Sequence, residues 1–320
     1  MTDQPTDVTI TEETLGTDLD APIVMHRFRS ATDGPTLTVF GGVHGDELEG
    51  VLASSILLER LPGLLCGEVR VVPRSNPSAV AGCNRESIVD GGNLARTFPG
   101  DPSGTYTERI AHVLTEEAIR GADGLIDLHS SGYKYAMPFF GGYISGLSSS
   151  ARSAEMLEWF APPISWRHDT INPGRSLSAA ADLDVPAIYV ESSQGGGVLL
   201  HDEVIGYVDG VTRVLVGMGM LDPATAVPGP SDRRFVPGGS GNTDESPETA
   251  AGGYCLSVAK RGQPVAAGET LAEIRDDTGR LVETIVAPFD GVLMLTRAIA
   301  PVEPGEKIAM VAPPFEAAES

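Results

Sequence analysis

Lysine is nearly missing from this chain of 320 residues. It occurs only at Lys134, Lys260 and Lys307, so arginine supplies the other 19 of the 22 basic residues. Acidic residues number 44 and leave a net charge of −22. A surface of that sign repels phosphate backbones and anionic lipid, which argues against nucleic acid and membranes as partners. Acid excess with scarce lysine fits a high-salt cytoplasm, where ions screen self-repulsion, although an acidic protein from ordinary salt has the same balance. Cysteine is scarce too: Cys66, Cys83 and Cys255 are odd in number and far apart. That spacing excludes a disulfide framework and a CxxC knuckle, and leaves small buried thiols in a reducing compartment. No apolar run has the length of a transmembrane helix. Met1 to Asp20 is acidic and polar, without the basic and apolar regions of a signal peptide. The expectation is a cytoplasmic protein, and 41% hydrophobic residues are enough for a sizeable core.

What is present is an alternation of strands and helices. Strands are expected at Thr36–Phe40, Glu68–Val72, Gly124–Leu128 and Val185–Val190. Helices are expected over Glu47–Arg60, Tyr106–Arg120, Ala151–Phe160 and Val204–Met220. This order predicts an α/β fold, a mostly parallel mixed sheet flanked by helices. Composition shifts near Val227, and residues 228–250, rich in Pro, Gly and Ser, read as a linker or exposed loop. From 251 to 320, short β runs alternate with turn signals such as Asp290-Gly291 and Pro304-Gly305, which predicts an all-β module. The three segments are therefore 1–227, 228–250 and 251–320, with Phe315–Ser320 as a loose tail.

Four motifs carry chemistry. Gly41-Gly42-Val43-His44-Gly45-Asp46-Glu47 sits where a strand gives way to a helix, and an imidazole and a carboxylate three positions apart can reach one cation. Ile126-Asp127-Leu128-His129 ends another strand, with Asp127 and His129 on one side because the side-chain period is two. Asp127 can then orient the imidazole from behind. Two histidines, a carboxylate and an open position match a catalytic zinc site. Glu191 closes a third strand ahead of Gly195-Gly196-Gly197, where a general base would stand. Finally, Arg85 and the stretch Asn93-Leu94-Ala95-Arg96-Thr97-Phe98-Pro99-Gly100 form a long irregular segment. Guanidinium groups suit carboxylates and developing oxyanions.

These motifs, in this order over Leu37 to Gly197, resemble the succinylglutamate desuccinylase/aspartoacylase family, a branch of the zinc carboxypeptidase-like hydrolases. The resemblance implies that His44, Glu47 and His129 bind one zinc ion per chain. It implies that Glu191 is the catalytic base, that Arg85 polarises the scissile carbonyl and that Arg96 holds a substrate carboxylate. The implied reaction is zinc-dependent amide hydrolysis of a small N-acylated amino acid or amine, by an amidohydrolase acting on bonds other than peptide bonds. One position departs from the family pattern, because Ala95 stands where an asparagine usually precedes or flanks the arginine. Its loss removes one donor to a carboxylate, and Asn93 is the nearest replacement. Arg175 is a candidate second substrate arginine.

Two rival functions remain open at this point: a metallocarboxypeptidase acting on peptides, and a catalytically degenerate zinc- or ligand-binding protein. His26, His112 and His201 read as surface or core histidines, and Tyr133 and Tyr135 as packing residues. His168, in a loop after Trp166-Arg167, is a weaker candidate for lining the pocket. The C-terminal module resembles a biotinyl/lipoyl-like barrel-sandwich through Val265–Leu271 and Ala287–Val292. Its Asp276-Asp277-Thr278-Gly279 turn carries no lysine, so it is not a carrier of a swinging arm. Shaping the pocket mouth or forming a homo-oligomer contact are the roles it fits.

Overall fold

Runs rich in Val, Ile and Phe, bounded by glycine and proline, become the strands of this protein. The computed structural model describes residues 7–170, 172–243 and 246–316. Its first ten strands are β1 (Val8–Leu15), β2 (Ile23–Ser30), β3 (Thr36–Gly41), β4 (Glu68–Val72), β5 (Gly124–Ser130), β6 (Tyr135–Ala136), β7 (Phe140–Ile144), β8 (Ile164–His168), β9 (Ala187–Ser192) and β10 (Arg234–Pro237). All except β6 join one mixed sheet in the order β1-β2-β4-β3-β5-β9-β7-β8-β10. Its centre, β4-β3-β5-β9, is parallel, as the strand–helix alternation predicts.

The helices are α1 (Leu48–Leu57), α2 (Pro77–Gly82), α3 (Tyr106–Val113), α4 (Ser150–Phe160), α5 (Ser176–Asp182) and α6 (His201–Gly217). Leu37, Val39, Ile126 and Val190 point from one face of the sheet into a core shared with α1, α4 and α6. Phe40, Leu125 and Ala187 point the other way and pack under α3 and α5. The capping box of Thr105 and Glu108 starts α3. It continues beyond Val113 as wider turns through Ile119, so the helical stretch expected over Tyr106–Arg120 is present.

Beyond the large sheet lie β11 (Gly253–Ser257), β12 (Pro264–Val265), β13 (Thr270–Arg275), β14 (Leu281–Val286), β15 (Gly291–Arg297), β16 (Pro301–Val302) and β17 (Ala309–Ala312). They form two antiparallel sheets, β14-β13-β11-β16 and β12-β15-β17. The second sheet is stitched to the first part of the chain. β6 pairs with β15, and Val292, Met294, Leu295 and Met310 share a core with Phe140, Trp166 and Val236.

The structure departs from the sequence reading in two places. The segment 228–250 is not simply linker: β10 adds to β8 in parallel register, and Val236 is fully buried. Its four residues are too few to show a period against the surrounding glycine and proline. His168 ends a strand instead of lying in a loop. The acidic N-terminal stretch contains β1, whose Thr and Glu side chains are largely exposed in a hairpin with β2. Of the tail expected at Phe315–Ser320, residues 317–320 lie outside the described residues.

One buried charge fastens the β2–β4 edge. Glu68 is 2% exposed and accepts from Arg70 Nε at 2.8 Å and from Arg27 Nη1, with Arg29 Nε in an ion pair 2.9 Å from its other oxygen. Burial opposes ionisation of Glu68, but the hydrogen bond from Arg70 and the three guanidinium charges outweigh it and hold its pKa below 4.5. Replacing Glu68 by Ala strands these cations, and a loss of about 3 kcal/mol in urea unfolding is expected. Because the folded value lies below the unfolded one, this contribution is complete above the ordinary carboxylate range. It fades as pH falls through the folded value, so wild type and Glu68→Ala should converge in stability in acid.

Candidate active site

The chain passes from β3 to β4 on one side and then to β5 on the other. The strand order therefore reverses direction between β3 and β5, and a crevice opens at their carboxyl ends. His44 and Glu47 follow β3, and His129 lies near the end of β5. The turn that carries them needs Gly45, since a Cβ there would stand 2.0 Å from the backbone carbonyl of Ala79.

Glu47 is the centre of the arrangement. Its Oε1 lies 2.8 Å from His44 Nδ1 and its Oε2 lies 2.8 Å from His129 Nδ1. Arg85 Nη1 donates to Oε1 at 2.9 Å, and the Ser130 backbone N–H donates to Oε2 at 3.1 Å. The outer nitrogens of both rings are also engaged. His129 Nε2 is 3.0 Å from Asp127 Oδ2, and His44 Nε2 is 3.2 Å from Asn93 Oδ1. With a cation on the inward Nδ1 atoms, the outer nitrogens would carry the N–H and donate to these acceptors. One ligand atom from each of His44, Glu47 and His129 lies within 4.8 Å of the others. Two imidazoles and a carboxylate are a donor set that suits a divalent transition metal such as zinc, so these residues fit the ion.

The charges follow from burial and neighbours. Burial disfavours the Glu47 carboxylate, but His44 and His129 outweigh it and hold its pKa well below the usual range. Burial would also lower His129, but the carboxylates of Asp127 and Glu47 raise it well above the usual imidazole value. His44 moves down, because burial wins over its contact with Glu47. Glu191 is pushed well up by burial, and its Oε2 has no hydrogen-bond partner among the described residues.

A cavity of about 580 Å³ opens over this cluster. His44, Glu47, Asp127, His129 and Glu191 border it, together with Arg85, Arg96 and Arg175. In parallel register His129 faces Glu191, and Asp127 faces Tyr189. All four side chains therefore rise from one face of the sheet. Arg96 Nη1 donates to the carbonyl of Ala95, which itself lines the cavity. Asn93 is not among the lining residues, and its Oδ1 caps Ala95 N–H and meets His44.

Several lining residues were missed or underweighted in the sequence. Tyr189 stands two positions before Glu191, so the strand period alone places both on the same side. His168 reaches the cavity because β8 lies two strands from β9. Leu295 and Met310 come from the C-terminal sheets and Thr243 from the supposed linker. No local pattern marks these as lining residues, because only long-range packing brings them to the cavity.

Known proteins share this architecture. The model of the succinylglutamate desuccinylase/aspartoacylase catalytic domain matches residues 33–215. The N-alpha-acetyl-L-2,4-diaminobutyric acid deacetylase of Halomonas elongata is 33% identical over 287 residues, spanning 88% of this chain and 82% of that protein. Among solved structures, a succinylglutamate desuccinylase from Silicibacter sp. TM1040 superposes with a TM-score of 0.85 at 22% identity, covering 99% of this chain and all of its own. The product-bound ectoine utilization protein EutE (DoeB) from Ruegeria pomeroyi gives a TM-score of 0.84 at 24% identity, covering 97% of this chain and 99% of that one.

The outer contact of His44 yields a prediction. Asn93→Ala removes the acceptor that sets the ring's tautomer. It is expected to weaken divalent-metal binding roughly 10- to 100-fold, read by competition with a chromophoric chelator.

Proposed function

The chain belongs to the succinylglutamate desuccinylase/aspartoacylase family, and on that premise we propose that it hydrolyses the amide bond of a small N-acylated amino acid, with zinc as its metal. The observation that carries this reading is the meeting of His44 and His129 on Glu47 beside Glu191, at one cavity of about 580 Å³. A zinc ion held by His44, Glu47 and His129 would supply Lewis acidity toward a carbonyl oxygen and a water molecule. The remaining work falls to the chain itself. Glu191 accepts the proton of the attacking water and delivers it to the leaving nitrogen. Its unpartnered Oε2 leaves room for that exchange. Arg85, 41% exposed and hydrogen-bonded to Glu47, stands where its guanidinium can meet the oxyanion of the tetrahedral intermediate. Arg96 and Arg175 line the same cavity and offer planar donor pairs to a substrate carboxylate.

The size of the cavity supports a small substrate in preference to a peptide. Leu295 and Met310 wall it on the side of the C-terminal sheets, and we assign residues 251–320 the part of a structural barrel-sandwich-like module that completes the pocket of the catalytic region 1–227. The helices agree with a soluble enzyme: among the described residues, none is long and apolar enough to cross a membrane.

The test is metal content and acyl release on one preparation, against a panel of N-acetyl and N-succinyl amino acids. About one zinc per chain is expected, with turnover lost on chelation and restored by zinc. Glu191→Gln is expected to retain the metal and lose about a thousandfold in kcat. A metal-loaded wild type that releases no acyl group from any substrate would overturn the deacylase reading.

A further inference from the structure

A buried arginine of the C-terminal sheets stands against the cavity wall and takes no part in the proposed reaction. Arg297 closes β15, and its side chain is 2% exposed. Arginine is almost never fully buried unless it is paired, and this one is paired closely. Its Nη2 donates to the Pro301 carbonyl at 2.9 Å and to Glu306 Oε2 at 3.1 Å, and its Nη1 donates to Glu306 Oε1 at 3.4 Å. Its Cζ lies over the Tyr135 ring, 5.5 Å from the centroid, within cation–π range. Glu306 Oε1 also accepts from Lys134 Nζ at 3.1 Å. Burial opposes ionisation of Glu306, but the Glu303 N–H, Lys134 and Arg297 outweigh it and keep the carboxylate charged.

Lys134 and Tyr135 belong to the segment that follows His129 directly. Residues 131–135 and Met137 all line the cavity. The segment has little regular structure of its own, since β6 is two residues long. So short a strand is not stable alone. It is pinned at one end by the Tyr133 N–H, which donates to Asp46 Oδ2 at 2.9 Å, and at the other by the Met137 N–H, which donates to the Ser193 carbonyl at 3.2 Å. Between these anchors the segment leans on β15. Tyr135 is in register with Arg297 and Ala136 with Thr296, and the Ala298 N–H donates to the Lys134 carbonyl at 2.9 Å. A planar guanidinium suits this place, because it can lie against a ring and still fork onto a carboxylate.

We propose that Arg297 is a positioning residue: together with Glu306 it clamps Lys134 and Tyr135 and so fixes the Tyr135 ring as a wall that the substrate touches. The clamp acts on substrate affinity and leaves the metal cluster alone. His129 and His44 keep their own outer partners, Asp127 and Asn93, and Arg297 meets none of these four among the described residues. The inference rests on the deacylase reading and adds to it the residues through which the C-terminal sheets set substrate binding.

The experiment compares zinc-loaded wild type with Arg297→Met, Arg297→Lys and Glu306→Gln on the best substrate of a panel of N-acetyl and N-succinyl amino acids. Arg297→Met keeps the length of the side chain and removes its charge. Its KM should rise about tenfold, the scale of one buried cation–π contact and of a coupled positioning residue. Its kcat should stay within about twofold, as when only uniform binding is lost, with zinc content unchanged. Arg297→Lys returns a cation to the ring and should recover part of the loss. Glu306→Gln loosens the same clamp from its more exposed side, and gives the same reading if Arg297→Met does not fold. In a Tyr135→Ala background KM is already raised, and adding Arg297→Met should change it no further. Hydrogen exchange over residues 131–137 reads the clamp without turnover: it should quicken in Arg297→Met while β3 and β5 stay protected. An unchanged KM in both Arg297→Met and Glu306→Gln, fully additive losses with Tyr135→Ala, unchanged exchange over 131–137, or a loss of zinc would each overturn the inference while leaving the deacylase reading intact. Absence of turnover by wild type on the whole panel overturns that reading and the inference with it.

Discussion

A carboxylate that is 2% exposed has to be surrounded by donors, and Glu47 imposes that requirement on everything near it. Its two oxygens take up two imidazole nitrogens, one guanidinium and one backbone N–H. These groups come from the turn after β3, the irregular segment after β4 and the end of β5. They can meet only at the point where the strand order reverses. The close approach at Gly45 and the outer partners Asn93 and Asp127 follow from the same demand: each fixes a ring or a turn so that the buried charge is never left without partners.

The cavity over that centre has a mixed lining. Asp127, His129 and Glu191 line it together with the apolar Phe140, Trp166, Leu295 and Met310. The His168–Tyr189 hydrogen bond belongs to the same lining. The C-terminal sheets belong to this design because they supply wall residues, share a core with the large sheet and pair with β6, a few residues beyond His129.

Much of this was legible in the residues. The strands Thr36–Gly41, Glu68–Val72 and Gly124–Ser130 follow their apolar runs, and His44, His129 and Glu191 sit at or just after strand ends as their patterns indicate. Strand period two was enough to put Asp127 beside His129. Less visible was β10, whose apolar pair Phe235-Val236 is embedded in loop-like composition and gains its strand character from β8 alone. Asn93 carries contacts that its motif does not reveal. An amide next to an arginine motif reads as a substrate donor, and the structure adds that its oxygen serves a helix start and His44.

The sequence by itself determined the chemistry: which side chains carry the imidazoles, carboxylates and guanidinium groups, the family they mark, and the alternation that builds the sheet. These are local properties, set by residue type and by periods of two and 3.6. The tertiary structure alone decided which partner each group meets. The pairing of His168 with Tyr189 depends on a glycine in the strand between them, and the pocket wall depends on strands more than a hundred residues beyond His129. Such contacts arise from the order of strands in the sheet and from the packing of two layers, which no short window of sequence contains.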